Sequence, residues 1–268
     1  MVFAGGATTF VREVPGPPGA PVVVLIHGVT AAGDVNWFNA FDALGTRFRV
    51  VSLDHRGYAG GAALAAGSRC LLEDLADDVV AVADALGVER FVPVGYSMGG
   101  AVAQLVWRRH PGRVSGLVLA ATASEFSMSV RERVLSRMLP AASVGARFAP
   151  SVAARYVGGT LRSRFAEMPL APWADAELAR HRPATMLAWA AAVGRFSSRP
   201  WIGEIDVPTA VVVSSRDIQV PTPRHLALAD AIPGARVVPL DGDHGAFITD
   251  QAAFSAALVR ACRLVTGT

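Results

Sequence analysis

The chain has 268 residues, 52% of them hydrophobic and 18% charged, with a formal net charge of +3. That length accommodates one large domain with an inserted subdomain, and that composition excludes a disordered chain. Its 25 basic residues are all arginine and are scattered, leaving no basic stripe for a nucleic acid, and two distant cysteines, Cys70 and Cys262, make no disulfide framework.

Residues Met1–Gly6 have no basic start and no long apolar core, so no signal peptide is expected. No stretch of about 18 residues is apolar without a charge or breaker, so no stable membrane insertion is expected, and the expected location is cytoplasmic. Thr8–Val14 reads as a short strand, followed by a Pro- and Gly-rich break. Val22–Ile26 is a continuous β-branched run of the kind buried in parallel sheets, and it ends at His27-Gly28. Asn36–Leu44 reads as a helix and Phe48–Leu53 as a strand that stops at Asp54-His55-Arg56-Gly57.

Leu72, Leu75, Val79, Val82, Ala83 and Leu86 recur near a 3.6 period, with Glu73, Asp74, Asp77 and Asp78 on the other face. That predicts a helix over 71–86, with Gly87 past its end. Arg90–Val94 is a strand, Gly100–His110 a helix and Val114–Ala121 a strand, so strands and helices alternate as in a parallel sheet covered on both faces. From Ser124 to Pro200 no clear strand run occurs; helical segments are expected at 130–139, 144–157 and 183–196, as an insertion over the sheet edge. Thr209–Val213 resumes the sheet, followed by a helix at 223–231, a strand at 235–240 and a final helix at 250–264. The division expected is a core segment at 1–123, a helical cap at 124–200 and a second core segment at 201–268.

The chemistry centres on Gly95-Tyr96-Ser97-Met98-Gly99, a G-x-S-x-G run between a strand and a helix, the setting of a nucleophile elbow. Ser97 is a weak nucleophile unless a base takes its proton. His244, on a late loop in Asp241-Gly242-Asp243-His244-Gly245, supplies the base, and Asp217, just past the 209–213 strand, supplies the orienting carboxylate. Asp241 and Asp243 compete for that role but stand too near His244 in sequence, and Glu125 is a distant second choice. The oxyanion hole is expected from the backbone N–H groups of Val29 and Met98, with His27 shaping the Val29 loop and Gly28 allowing its close approach. His55 and His110 read as structural, His181 and His225 as surface or cap residues. No metal-ligand spacing and no nucleotide motif occurs, so no cofactor and no metal are expected.

His27-Gly28, Asp54-His55-Arg56-Gly57, Gly95–Gly100, Asp217 with Val220-Pro221, and Gly242-Asp243-His244 together resemble the α/β-hydrolase superfamily, on its serine esterase, lipase and non-metal haloperoxidase-like branch. The resemblance spans about Thr8 to Leu264. It implies an α/β fold with an eight-stranded, mostly parallel central sheet flanked by helices and a helical cap inserted after the sixth strand. It also implies Ser97 as nucleophile, His244 as base then acid, and Asp217 as its partner. Haloalkane dehalogenases and epoxide hydrolases of the superfamily carry aspartate where Ser97 stands, which argues against those activities. Tyr58 departs from the family's usual histidine, beside the oxyanion loop.

The insertion is rich in apolar side chains. Most are expected to glue its helices together, with Trp37, Met98, Trp189 and Phe196 expected to line a pocket between insertion and sheet. The partner expected is a small apolar, uncharged ester-like substrate, taken by a monomer or homodimer. Lactone, amide or carbon–carbon bond hydrolysis and cofactor-free perhydrolysis remain open on the same residues, as does a non-catalytic ligand receptor.

Overall fold

The structure is a computed structural model that describes residues 8–64, 68–157 and 159–268. Seven strands are present among the described residues: β1 (Val11–Val14), β2 (Val22–Ile26), β3 (Arg49–Leu53), β4 (Val92–Tyr96), β5 (Leu117–Ala120), β6 (Thr209–Ser214) and β7 (Arg236–Leu240). They form one sheet in the order β1-β3-β2-β4-β5-β6-β7. Only β1 runs antiparallel, pairing with β3. The β-branched run in β2 is buried on both faces, as a central parallel strand requires. Val24 and Ile26 join one core cluster, and Val23 and Leu25 the other.

Helices α3 (Leu72–Ala85) and α4 (Met98–Arg109) belong to the first core. The short α1 (Gly33–Trp37) and α2 (Phe41–Gly45), which divide the single helix expected at 36–44, join in the second core α12 (Gln251–Thr266), which follows α10 (Thr222–Ala231) and α11 (Ala246–Thr249) in the chain. The chain order of the strands reverses between β2 and β4: β3 lies on one side of β2, and β4, β5, β6 and β7 on the other. At such a switch point the connections leaving the strand ends splay apart and open a crevice. The loop after β2 and the turn after β4 both leave there.

Between β5 and β6 the chain forms α5 (Val130–Phe148), α6 (Pro150–Val157), α7 (Gly159–Phe165), α8 (Ala171–Ala179) and α9 (Pro183–Val193). The insertion thus follows the fifth of the seven described strands, whereas the resemblance implied eight strands with the insertion after the sixth; residues 1–7 lie outside the described part. Helix α5 runs through Pro140, which is exposed, instead of stopping at 139. A bridge between Glu125 and Ser197 closes the insertion at its base. There the buried Gln104 amide donates to the carbonyls of Gly100 (3.1 Å) and Ala123 (3.2 Å), while its oxygen accepts from Ser198 Oγ at 2.6 Å. No described helix is long and apolar enough to cross a membrane.

Four histidines are buried: His27, His55 and His181 in the connections and His225 in a helix. His181 and His225 were expected as surface or cap residues; His181 does lie in the insertion, but both are buried, His181 with its ring against Tyr58 and His225 beside Asp217. Burial pushes His27, His181 and His225 down to about 4 and His55 well below its usual value, so all four are neutral in the folded chain. Unfolded, each protonates below about pH 6.5. The unfolded state therefore binds more protons, and stability falls as pH drops from about 6.5 toward about 4. The carboxylates with resolved shifts, Asp77, Glu132 and Asp243, are all lowered, so their losses set in lower still. Urea midpoints at pH 7.5, 6.0 and 5.0 are expected to decline steadily; a flat midpoint across that window would contradict the neutral burial of these rings.

Candidate active site

The turn from β4 into α4 is steep because α4 starts directly under the sheet. A Cβ on Gly99 would stand 1.9 Å from the Ile26 carbonyl oxygen, and one on Gly95 would stand 2.2 Å from the Gly99 oxygen. Both obstacles are backbone, which cannot swing aside. Ser97 caps α4 with φ of 54° and ψ of −116°, a strained conformation for a non-glycine residue. It is held there on both sides: its N–H donates to Ala120 O at 2.9 Å, and its carbonyl accepts from Thr122 Oγ1 at 2.8 Å and Gly100 N at 2.9 Å. Met98 N–H, the first amide of α4, has no acceptor within the helix.

His244 arrives on the loop after β7. Its Nε2 is 3.1 Å from Ser97 Oγ and its Nδ1 2.7 Å from Asp217 Oδ2. Asp217, on the loop after β6, is buried, and its Oδ1 accepts from the backbone N–H groups of Gln219 and Val220, both at 2.9 Å. Those two bonds fix the carboxylate and leave Oδ2 to face the ring. The three other acids weighed from the sequence are engaged elsewhere. Asp241 accepts from Ser215 Oγ at 2.7 Å, Asp243 pairs with Arg164 at 2.6 Å, and Glu125 lies 3.4 Å from Arg199.

The loop after β2 is braced from three sides. The Gly28 N–H donates to Asn36 Oδ1 at 2.9 Å, the Tyr58 hydroxyl donates to the Val29 carbonyl at 2.7 Å, and His27 Nδ1 bonds the Gly28 carbonyl at 2.7 Å. His27 Nε2 accepts the His55 N–H at 3.0 Å, which requires the neutral Nδ1–H tautomer and agrees with its lowered pKa. With Gly28 N–H consumed, the next amide on the loop is that of Val29, which lines the cavity.

That cavity measures about 390 Å³ and is walled by Val29, Ala31, Tyr96, Phe247 and Arg164 around Ser97 and His244. None of the four side chains expected on its wall lies there. Trp37 is fully buried behind Tyr96, stacked on Phe254 at 6.1 Å between centroids. Met98 projects into the core shared with α3, because the first turn of α4 points it away from the sheet edge. Trp189 is enclosed with its indole N–H on the Arg56 carbonyl at 3.2 Å, and Phe196 packs on Phe126 at the base of the insertion. Three contributors escaped sequence reasoning. The Tyr96 hydroxyl donates to the His244 carbonyl and its ring packs 5.3 Å from the imidazole, while His225 stands 3.6 Å behind Asp217 Oδ2. Arg164 reaches the wall from α7. Tyr96 sits inside the motif itself, and that position was the signal that could have found it beside Ser97; the other two come from segments whose approach depends on tertiary packing.

Among curated relatives, a protein named "Putative carbamate hydrolase RutD" from Agrobacterium fabrum is 29% identical over 252 residues, covering 90% of this chain and 92% of that one. Among solved structures, a hydrolase from Pseudomonas aeruginosa PA01 superposes with a TM-score of 0.82 at 26% identity, covering 98% of this chain and 97% of that one. Est816, an N-acyl homoserine lactone degrading enzyme, gives 0.74 at 25% identity over 96% of this chain and 98% of its own. A model of the α/β-hydrolase fold matches residues 21–251, from just before β2 to the start of the last helix, and the chain belongs to that family.

Proposed function

We propose that the protein is a serine hydrolase that cleaves a small carboxylic ester through an acyl-enzyme on Ser97. The observation that carries this reading is the continuous relay from Ser97 Oγ through the His244 ring to Asp217 Oδ2, opening onto a cavity. In this mechanism His244 Nε2 takes the Ser97 proton as Oγ bonds to the carbonyl carbon. Asp217 holds the ring with Nδ1–H toward itself and stabilises the imidazolium that forms. The Met98 and Val29 N–H groups receive the oxyanion; one such donor is worth roughly 3 kcal/mol in the transition state. His244 then protonates the departing alcohol. Water, losing its proton to His244, attacks the acyl-enzyme and releases the acid with Ser97 restored.

The helical insertion at 124–200 acts in this reading as the cap, since it supplies Arg164 to the cavity wall. Attack on an amide-type or lactone carbonyl follows the same path. Those substrates have specific support in the names of the full-length relative and of the lactone-degrading neighbour.

A panel of p-nitrophenyl esters from acetate to palmitate tests the reaction. A cavity of about 390 Å³ is at the small end of ligand sites, so acetate, butyrate and hexanoate are expected to outrun palmitate. Ser97→Ala is expected to lower kcat by about four orders of magnitude or more. Undiminished turnover in that variant would overturn the reading. Tyr58→Phe removes the hydroxyl that holds the Val29 carbonyl. It is expected to lower kcat by about tenfold through a slack oxyanion loop, at a stability cost of about 1 kcal/mol. An unchanged kcat would show that the loop keeps its place without Tyr58.

A further inference from the structure

Among the described residues, Arg164 is the one arginine on the wall of the cavity that holds Ser97 and His244. Its guanidinium lies against Gly245: a Cβ built there would stand 2.1 Å from Nη1 and 2.6 Å from Cζ. Gly245 therefore leaves the room in which the guanidinium sits, next to the His244 loop. Nη1 and Nη2 donate end-on to Asp243 Oδ1 and Oδ2 at 2.8 and 2.6 Å. Asp243 Oδ1 also accepts the Gly245 N–H at 2.6 Å, so the carboxylate that anchors Arg164 is itself fixed.

Arginine carries five N–H donors in a rigid plane. The end-on pair uses two of them. The Nε–H and the second Nη2 hydrogen form another parallel fork along the side of the plane, and no acceptor meets it among the described residues. A side-on fork of this kind matches the spacing of a carboxylate's two oxygens. The charge is permanent, since the Asp243 pair raises the Arg164 pKa further. The remaining wall is uncharged: the apolar surface comes from Val29, Ala31, Tyr96 and Phe247, and Thr30, Asn36 and Gln219 add neutral polar groups.

We infer that Arg164 is a specificity residue that binds a carboxylate at the far end of the substrate, so that the preferred substrate is a short apolar acyl ester ending in a carboxylate. This rests on the ester-hydrolase reading above and narrows it. The apolar wall takes the chain between the two ends, and Arg164 takes the terminal anion.

The test compares kcat/KM for mono-p-nitrophenyl glutarate with that for its methyl-capped diester, in the wild type, Arg164→Gln and Asp243→Asn. The wild type is expected to prefer the free carboxylate by about tenfold or more. Arg164→Gln is expected to flatten that ratio whatever it does to the absolute rate. Asp243→Asn, whose Oδ1 can still accept the Gly245 N–H, leaves the arginine unneutralised and is expected to raise the ratio. Equal use of the two esters by the wild type overturns the inference and leaves ester hydrolysis standing. A parallel calorimetric titration with 5-oxohexanoate, whose ketone stands where the ester would and cannot be hydrolysed, needs no turnover: heat in the wild type that vanishes in Arg164→Gln supports the site. No binding to the wild type overturns it. Binding without hydrolysis of either ester supports the carboxylate site and overturns the ester-hydrolase reading instead.

Discussion

The contact between Gly99 and the carbonyl of Ile26 sets the rest of the site. With no side chain at residue 99, α4 begins directly against the end of β2, and the turn that joins it to β4 must be tight enough to drive Ser97 into a positive φ. That geometry lifts the hydroxyl above the strand ends at the point where the sheet's order reverses. It also leaves the first amide of α4 unpaired beside the loop after β2. The placement of Ser97 and of the two amides proposed as oxyanion donors thus shares one cause, the close approach of a helix to a central strand. The strain persists because β5 and Thr122 grip the Ser97 backbone from outside the turn.

Around that fixed centre, charge is distributed with little redundancy. The rings that shape the loops are kept neutral by burial: His27 by its tautomer-fixing bonds, His225 behind the acid. Asp217 spends one oxygen on two backbone amides and turns the other to His244. The neighbouring acid, Asp243, is withdrawn from His244 by Arg164, which ties a helix of the insertion to the His244 loop. An arginine brought from a distant helix therefore does two things at once. It removes a competing carboxylate, and it places a cation on the wall of the cavity.

The sequence was most legible where one local pattern has one physical meaning. The β-branched runs of β2 and β6, the 3.6-period helix ending before Gly87 and the elbow glycines each point to a single conformation, and the structure has each within a few residues of its expected place. Asp217 was separable from Asp241 and Asp243 because a strand-end position reaches a late histidine and an adjacent residue does not. The pocket side chains were not legible. Trp37, Met98, Trp189 and Phe196 are large and apolar, and that property is satisfied equally by a wall and by a core; only the packing of α1, α4 and α9 decides, and here it decides for the core. Arg164 and His225 escaped for the converse reason. An arginine in a polar stretch and a histidine near a helix start read as solvated until the folded chain shows what covers them.

The central claim is that Ser97 is a nucleophile activated by His244. The direct measurement is intact mass and peptide mapping after treatment with a fluorophosphonate, which modifies only an activated serine. The account predicts one adduct, on Ser97, formed fast in the wild type, absent in Ser97→Ala and slowed by at least about a hundredfold in His244→Gln. A folded wild-type protein that takes no label, or takes it equally fast without His244, would contradict the account.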